Sequence, residues 1–152
     1  MTEEFKLACE LIEWAEDYKA EVYRCTANKL TQGIGRNLEA HPLSDKEKAE
    51  LVNGKVSLEV ARRWMREELE PLEDKLSETK DYLNCNTVRR AVLLDMAFNM
   101  GLTGLSKFKK MWEHIHNSNW VEASREMKDS SWYIQVGRRG KRNVELFAKG
   151  FK

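Results

Sequence analysis

The chain of 152 residues is poor in cysteine, proline and histidine, and each shortage removes a class of explanation. Cys9, Cys25 and Cys85 are an odd number with no CxxC spacing, so neither a disulfide framework nor a zinc knuckle is written into them. His41, His114 and His116 stand apart from any ligand pattern, and no metal and no cofactor are expected. Two prolines, no Ser/Gly-rich stretch and no repeat leave no domain boundary marked. Neither sign of charge dominates, with 26 Lys and Arg against 25 Asp and Glu, so no whole-molecule field recruits nucleic acid or an anionic bilayer. The longest apolar run, residues 91–105, is broken by Asp95 and falls short of the roughly 20 apolar residues of a bilayer span, so no stable membrane insertion is expected. The first twenty residues begin acidic, the reverse of a secretory leader, and point to synthesis in a reducing cytoplasm with free thiols.

What remains is a chain long enough for one domain with its own core. Phe5, Ala8, Cys9, Ile12 and Ala15 recur at helical spacing, which predicts an N-terminal helix ending near Glu16. From Tyr18 to Ile34 the texture shortens to strand-like segments around CTAN, with Asn28 in the turn: a small hairpin. Ser44 with Glu47 has capping-box spacing, and Ser57 is placed to cap a long helix carrying Val60, Trp64, Leu69, Leu72 and Leu76, which Pro71 is expected to kink or split. Val88 to Met100 is apolar on nearly every side, as the central helix of a bundle is, and Gly101 is expected to end it. Phe108, Met111, Trp112 and Ile115 predict a further amphipathic helix; Asn119 with Glu122 is read as a capping pair, and a last helix is expected over about 138–148. The pattern is α+β and mainly α: a hairpin lobe over about 15–58, joined by the long helix to a helical lobe over about 72–152 on which the first helix packs.

Three residues stand together near the start. Eight residues separate Glu16, at the end of the first helix, from Cys25 at the hairpin turn, and five separate Cys25 from Thr31 on the returning strand. Singly each has a plain reading: a solvated helix-end carboxylate, a small apolar side chain, an ordinary strand residue. Together, with Gly33-Ile34-Gly35 following at once, they resemble the phage-type lysozymes, whose motif is Glu-x8-Asp/Cys-x5-Thr ahead of a GIG turn. The segments RRAVLLDMAFNMGLTGLSKF (Arg89 to Phe108) and SSWYIQVGRRGKR (Ser130 to Arg142) are similar to that family's buried-helix and C-terminal blocks, in the same order.

The resemblance implies a lysozyme-like two-lobed fold in a single domain over 1–152, and an endolysin that hydrolyses the β-1,4 bond between N-acetylmuramic acid and N-acetylglucosamine in peptidoglycan. Such hydrolysis needs a proton donor to the leaving oxygen and a positioned water opposite. Glu16 suits the donor role, since apolar neighbours such as Ile12 and Trp14 favour a protonated carboxyl. Thr31 can orient the water, and Cys25 stands where many members carry Asp. By resemblance Arg139 faces the catalytic Glu, Phe98 and Asn99 line the cleft, and Gly33 and Gly35 shape the turn, while Asp17 and Asn28 replace glycines. It further implies an inverting reaction by a monomer that reaches the wall from the host cytoplasm through a phage pore-forming protein. From another class, a helical nucleic-acid-binding module using Arg138, Arg139, Lys141 and Arg142 remains open, as do a same-fold transglycosylase and a chitin-acting glycosidase. Trp112 and Trp132 are read as core.

Overall fold

A computed structural model describes all 152 residues. The chain runs α1 (Glu3–Glu16), β1 (Tyr18–Arg24), β2 (Leu30–Ile34), β3 (Arg36–Asn37), α2 (Asp45–Ala49), α3 (Leu58–Leu76), α4 (Lys80–Asn84), α5 (Thr87–Ser106), α6 (Lys109–His116), α7 (Trp120–Lys128), α8 (Ser131–Val136) and α9 (Arg138–Lys149). The fold is α+β, mainly α, with one antiparallel sheet ordered β1-β2-β3. Its contacts gather into two units, Ile12–Glu68 and Met1–Leu11 with Leu69–Lys152. No helix is long and apolar enough to cross a membrane.

The Ile12–Glu68 unit is organised by where its backbone reverses. The Asp17 amide still donates to the Glu13 carbonyl at 3.2 Å. Asp17 itself adopts φ 55°, so the helix cannot continue and the chain turns into β1. Asn28 sits at φ 60° in the hairpin turn, with its amide 2.8 Å from the Cys25 carbonyl. Asp and Asn tolerate this left-handed region better than other non-glycine residues, which is how the chain keeps both turns where the resemblance leads one to expect glycine. Gln32 is fully buried in β2 and donates to the carbonyls of Ala20 and Gly54, both at 2.9 Å, tying the hairpin to the loop ahead of α3. Ser44 and Glu47 close the expected capping box on α2, and the Ser57 hydroxyl accepts from the Val60 amide at the start of α3.

In the other unit α5 is the central element, with Ala91 through Ala97 all buried. Asp95, at its middle, is wholly removed from water. It accepts from Nε and Nη2 of Arg139, Nη2 of Arg142 and Nδ2 of Asn143 at 2.8–3.1 Å, the full set of partners a buried carboxylate needs. Arg89 donates to the Phe147 and Ala148 carbonyls at the end of α9 and lies 4.4 Å from the Trp120 ring centroid, a cation where the helix dipole is negative.

Two local expectations change, at Pro71 and Asn119, while the expected end of the central helical stretch at Gly101 holds. Pro71 does not split α3, which is one helix through it. Proline removes one amide donor, but it is exposed while Leu69 and Leu76 on either side are buried and hold the segment. At Gly101 the φ of 81° and ψ of 163° break the helical path, yet a further helical stretch follows to Ser106. Asn119 occupies the cap position of α7 without a side-chain cap bond. Strand β3 and the short helices α4 and α8 were not anticipated; a few residues carry no readable period.

The left-handed turn after α1 is testable by urea unfolding. Asp17→Val should lose about 1–2 kcal/mol, since a β-branched residue is forced to positive φ. Asp17→Gly should stay within about 1 kcal/mol of the parent, because the relief of strain is offset by glycine's larger chain entropy.

Candidate active site

Glu16 occupies the last turn of α1 and its side chain lies directly on the backbone of Gly35. A Cβ at Gly35 would fall 2.5 Å from Glu16 Cδ and 2.7 Å from Cγ, and φ there is +66°. The positive φ favours glycine, and any side chain there would push the Glu16 carboxyl out of its seat. Gly33, at φ +71°, answers a different need: a Cβ there would approach the Ala61 Cβ at 3.3 Å, so its absence lets β2 sit close to α3. Ile34 between them is buried. The GIG turn thus seats a carboxyl on one glycine and packs a helix against the other.

Thr31 pairs across the sheet with Tyr23 and with Asn37, and is only 3% exposed. Its hydroxyl donates to the Lys29 carbonyl at 2.9 Å and is also within hydrogen-bonding range of the Cys25 sulfur. One hydroxyl proton cannot serve both acceptors, so a donor role toward water, expected from sequence, competes with two protein partners. Partial burial alone would raise the Cys25 thiol. The amides of Lys29 and Ala27, its own amide and the Thr31 hydroxyl outweigh that and hold it below its ordinary value. Cys85 behaves oppositely, pushed up to about 12 by burial on α4's flank. Tyr23, between these groups in the sheet, is raised by burial first and then by the charges of Glu16, Cys25 and Asp17.

A second carboxyl belongs to the same unit. Glu68, on α3, is raised to about 7, by burial first, with Arg36 opposing and Glu16 and Glu47 adding to the rise. Arg36 is the nearby cation, yet its hydrogen bonds go elsewhere: Glu47 at 2.5 and 3.0 Å, the His41 carbonyl at 3.0 Å and the Pro42 carbonyl at 3.1 Å, with Trp64 under the guanidinium at 5.2 Å. Arg36 in turn holds Glu47 down to about 2. What Glu68 touches is His41, Nε2 to Oε1 at 3.1 Å. Because folded Glu68 keeps a proton that an unfolded glutamate releases near 4.5, folding stability falls as pH rises from there to about 7, a cost typical of functional carboxyls.

Glu16, Cys25, Thr31, Gly33 and Gly35 all lie in the Ile12–Glu68 unit; Phe98, Asn99 and Arg139 lie in the helical one. There Phe98 is half-buried, Asn99 accepts from the Trp132 indole at 2.8 Å, and Arg139 is fixed on Asp95. Trp132 is buried and Trp112 half-buried. Tyr23, Arg36 and Glu68 went unnoticed in the sequence because nothing in their spacing separates them from ordinary strand and helix-face residues. No group of three or more His, Cys, Asp or Glu side chains is arranged to hold a metal ion.

The family model for phage lysozyme matches residues 13–145. The chain is 28% identical to a protein named probable T4-type lysozyme 2 and 23% identical to probable T4-type lysozyme 1, both from Dictyostelium discoideum, over 93% of each chain. It is also 26% identical to the pre-baseplate central spike protein Gp5 of Enterobacteria phage T4, covering 93% of this chain and 27% of that one.

Two measurements probe this geometry. Gly35→Ala should cost about 2 kcal/mol or more, combining positive φ with overpacking against Glu16. In a Glu16→Ala background the cost should drop to about 1 kcal/mol, the φ term alone; equal costs in both backgrounds would place the clash elsewhere. With iodoacetamide near neutral pH, peptide mapping should find Cys25 modified well ahead of Cys85, the thiolate being the nucleophile.

Proposed function

The chain belongs to the phage lysozyme family, and from that membership we propose that it hydrolyses the β-1,4 bond between N-acetylmuramic acid and N-acetylglucosamine of bacterial peptidoglycan, with Glu16 as the acid. The observation that carries the assignment is the seating of Glu16 on Gly35 in the same unit as the Cys25–Thr31 pair. A helix-end carboxyl held against a turn that admits no side chain is restricted in its rotamers, as a proton donor must be.

In this reading the Glu16 proton passes to the leaving glycosidic oxygen as the bond to the anomeric carbon breaks. A water held by Cys25 and Thr31 attacks that carbon from the opposite face and gives up its proton to the Cys25 sulfur. A thiol held below its ordinary value supplies more thiolate to accept that proton. With Thr31's own proton directed to Lys29 or to Cys25, its lone pairs are what it offers the water. The displacement is single, so the product inverts. The family resemblance assigns Phe98 and Asn99 to glycan binding and Arg139 to a supporting role. The biological role is that of an endolysin, acting as a monomer on the host wall after release through a pore formed by a phage partner.

The test is clearance of outer-membrane-permeabilised cells. Glu16→Gln should abolish lysis with helical circular dichroism and melting midpoint nearly unchanged; substantial residual lysis by pure variant protein would remove Glu16 from the acid role. Early-time NMR of the new reducing end should show the α-anomer, whereas the β-anomer would mean a covalent intermediate. Anhydro-sugar products by mass would mark a transglycosylase instead.

A further inference from the structure

The pairing of β1 with β2 is irregular between Lys19 and Tyr23 and resumes with Tyr23 opposite Thr31. A slip of one residue would send a side chain to the other face of the sheet, so this irregularity decides where Tyr23 points. Directly opposed residues of an antiparallel pair project to the same face with Cβ atoms about 5 Å apart, and residues two apart on one strand share a face as well. Cys25 continues the ladder through its amide, which donates to the Lys29 carbonyl at 3.0 Å. Tyr23, Thr31 and Cys25 therefore share one face, and the reach of the Thr31 hydroxyl to the Cys25 sulfur agrees with that placement.

Thr31 is almost wholly removed from water, and its two cross-strand neighbours are Tyr23 and Asn37. Asn37 turns its Oδ1 back to the amides of Glu39 and Ala40 at 2.9 and 3.1 Å, which leaves the half-buried Tyr23 ring as the large side chain beside Thr31 on this face. Rotation of the Thr31 side chain about its Cα–Cβ bond would put the methyl where the hydroxyl is and break both the bond to the Lys29 carbonyl and the contact with Cys25. Burial first, then the charges of Glu16, Cys25 and Asp17, hold the Tyr23 phenol above its ordinary value. The phenol is thus uncharged through the neutral range and acts by its bulk.

Resting on the reading of Cys25 as the acceptor of the water's proton, we propose that Tyr23 is a positioning residue for that acceptor: its ring, beside Thr31 across the sheet, holds the Thr31 rotamer whose hydroxyl meets the Cys25 sulfur. A hydrogen bond from that hydroxyl favours the thiolate, the form that can take a proton. The ring acts from the β1 side of Thr31, where it keeps solvent from competing for the hydroxyl.

The experiment reads the Cys25 thiol directly, as the pH midpoint of its alkylation by iodoacetamide with peptide mapping, in the parent, Tyr23→Phe, Tyr23→Val, Thr31→Val and the Tyr23→Val/Thr31→Val double variant. Tyr23→Val keeps a strand-forming residue but removes the ring, and should raise the midpoint by about half a pH unit, an about threefold slower reaction below the midpoint. Thr31→Val should raise it as much or more, and the double variant no further than Thr31→Val alone, because both changes remove the same bond. Tyr23→Phe keeps the ring and should leave the midpoint close to the parent's. Additive rises, or an unmoved midpoint in Tyr23→Val, would overturn the proposal, since a ring that only packs the hairpin acts independently of the Thr31 hydroxyl. A second measurement reports the rotamer itself: three-bond couplings to the Thr31 methyl carbon should show one rotamer in the parent and in Tyr23→Phe, and averaging in Tyr23→Val. One unchanged rotamer in Tyr23→Val would overturn the proposal as well. If the midpoints rise as expected while Tyr23→Val and Thr31→Val still lyse permeabilised cells at the parental rate, the reading of Cys25 as proton acceptor is what has failed, and the hold of Tyr23 on Thr31 stands.

Discussion

The contact on which the site depends is the Glu16 side chain lying on the backbone of Gly35. It constrains three things at once. The helix must stop at Glu16, which the left-handed Asp17 accomplishes; the sheet must turn immediately after Ile34, which positive φ at Gly35 allows; and position 35 must lack a side chain. Together these fix where the carboxyl is seated, and a proton donor loses much of its value when its orientation is not held.

Charge placement follows a common pattern in both units: arginines are immobilised by carboxylates that are themselves fully bonded. Asp95 binds Arg139, Arg142 and Asn143 from inside α5, and Glu47 binds Arg36 while closing the box on Ser44. Removing either carboxylate would strand a cation in a part-buried setting, the expensive way to break such a pair. Because Arg36 is committed in this way, no arginine bonds Glu68, which contacts His41 instead. A lowered thiol at Cys25 and a raised carboxyl at Glu68 in one unit give it groups that change protonation nearer neutrality than their ordinary values would.

Family membership sets the chemistry as lysozyme-like, while its uses are wider than one setting. Of the similar proteins, two carry lysozyme names in a eukaryote and one is a phage baseplate spike whose length is mostly outside the match. The endolysin role proposed above therefore rests on the family resemblance of the chain's own motifs, and not on those names.

Much was legible in the residues alone. Helical periodicity located α1, α3, α5 and α6, capping spacings marked Ser44 and Ser57, and the Glu-x8-Cys-x5-Thr-x-GIG order named the residues that the Ile12–Glu68 unit gathers. These are local signals: a period, a cap or a turn is decided within a few residues by backbone sterics and amide satisfaction, so sequence determines them. Tertiary structure decided the rest. Pro71 stays inside a helix because buried leucines flank it, Thr31's hydroxyl is brought within reach of both the Lys29 carbonyl and the Cys25 sulfur, and Arg36 rather than a nearer neighbour in sequence claims Glu47. Glu68 is the sharpest case. Its desolvation, its contact with His41 and its exposure to the charge of Glu16 come from residues far along the chain, and Coulomb energies and burial depend on distance in space, which no spacing in the sequence encodes.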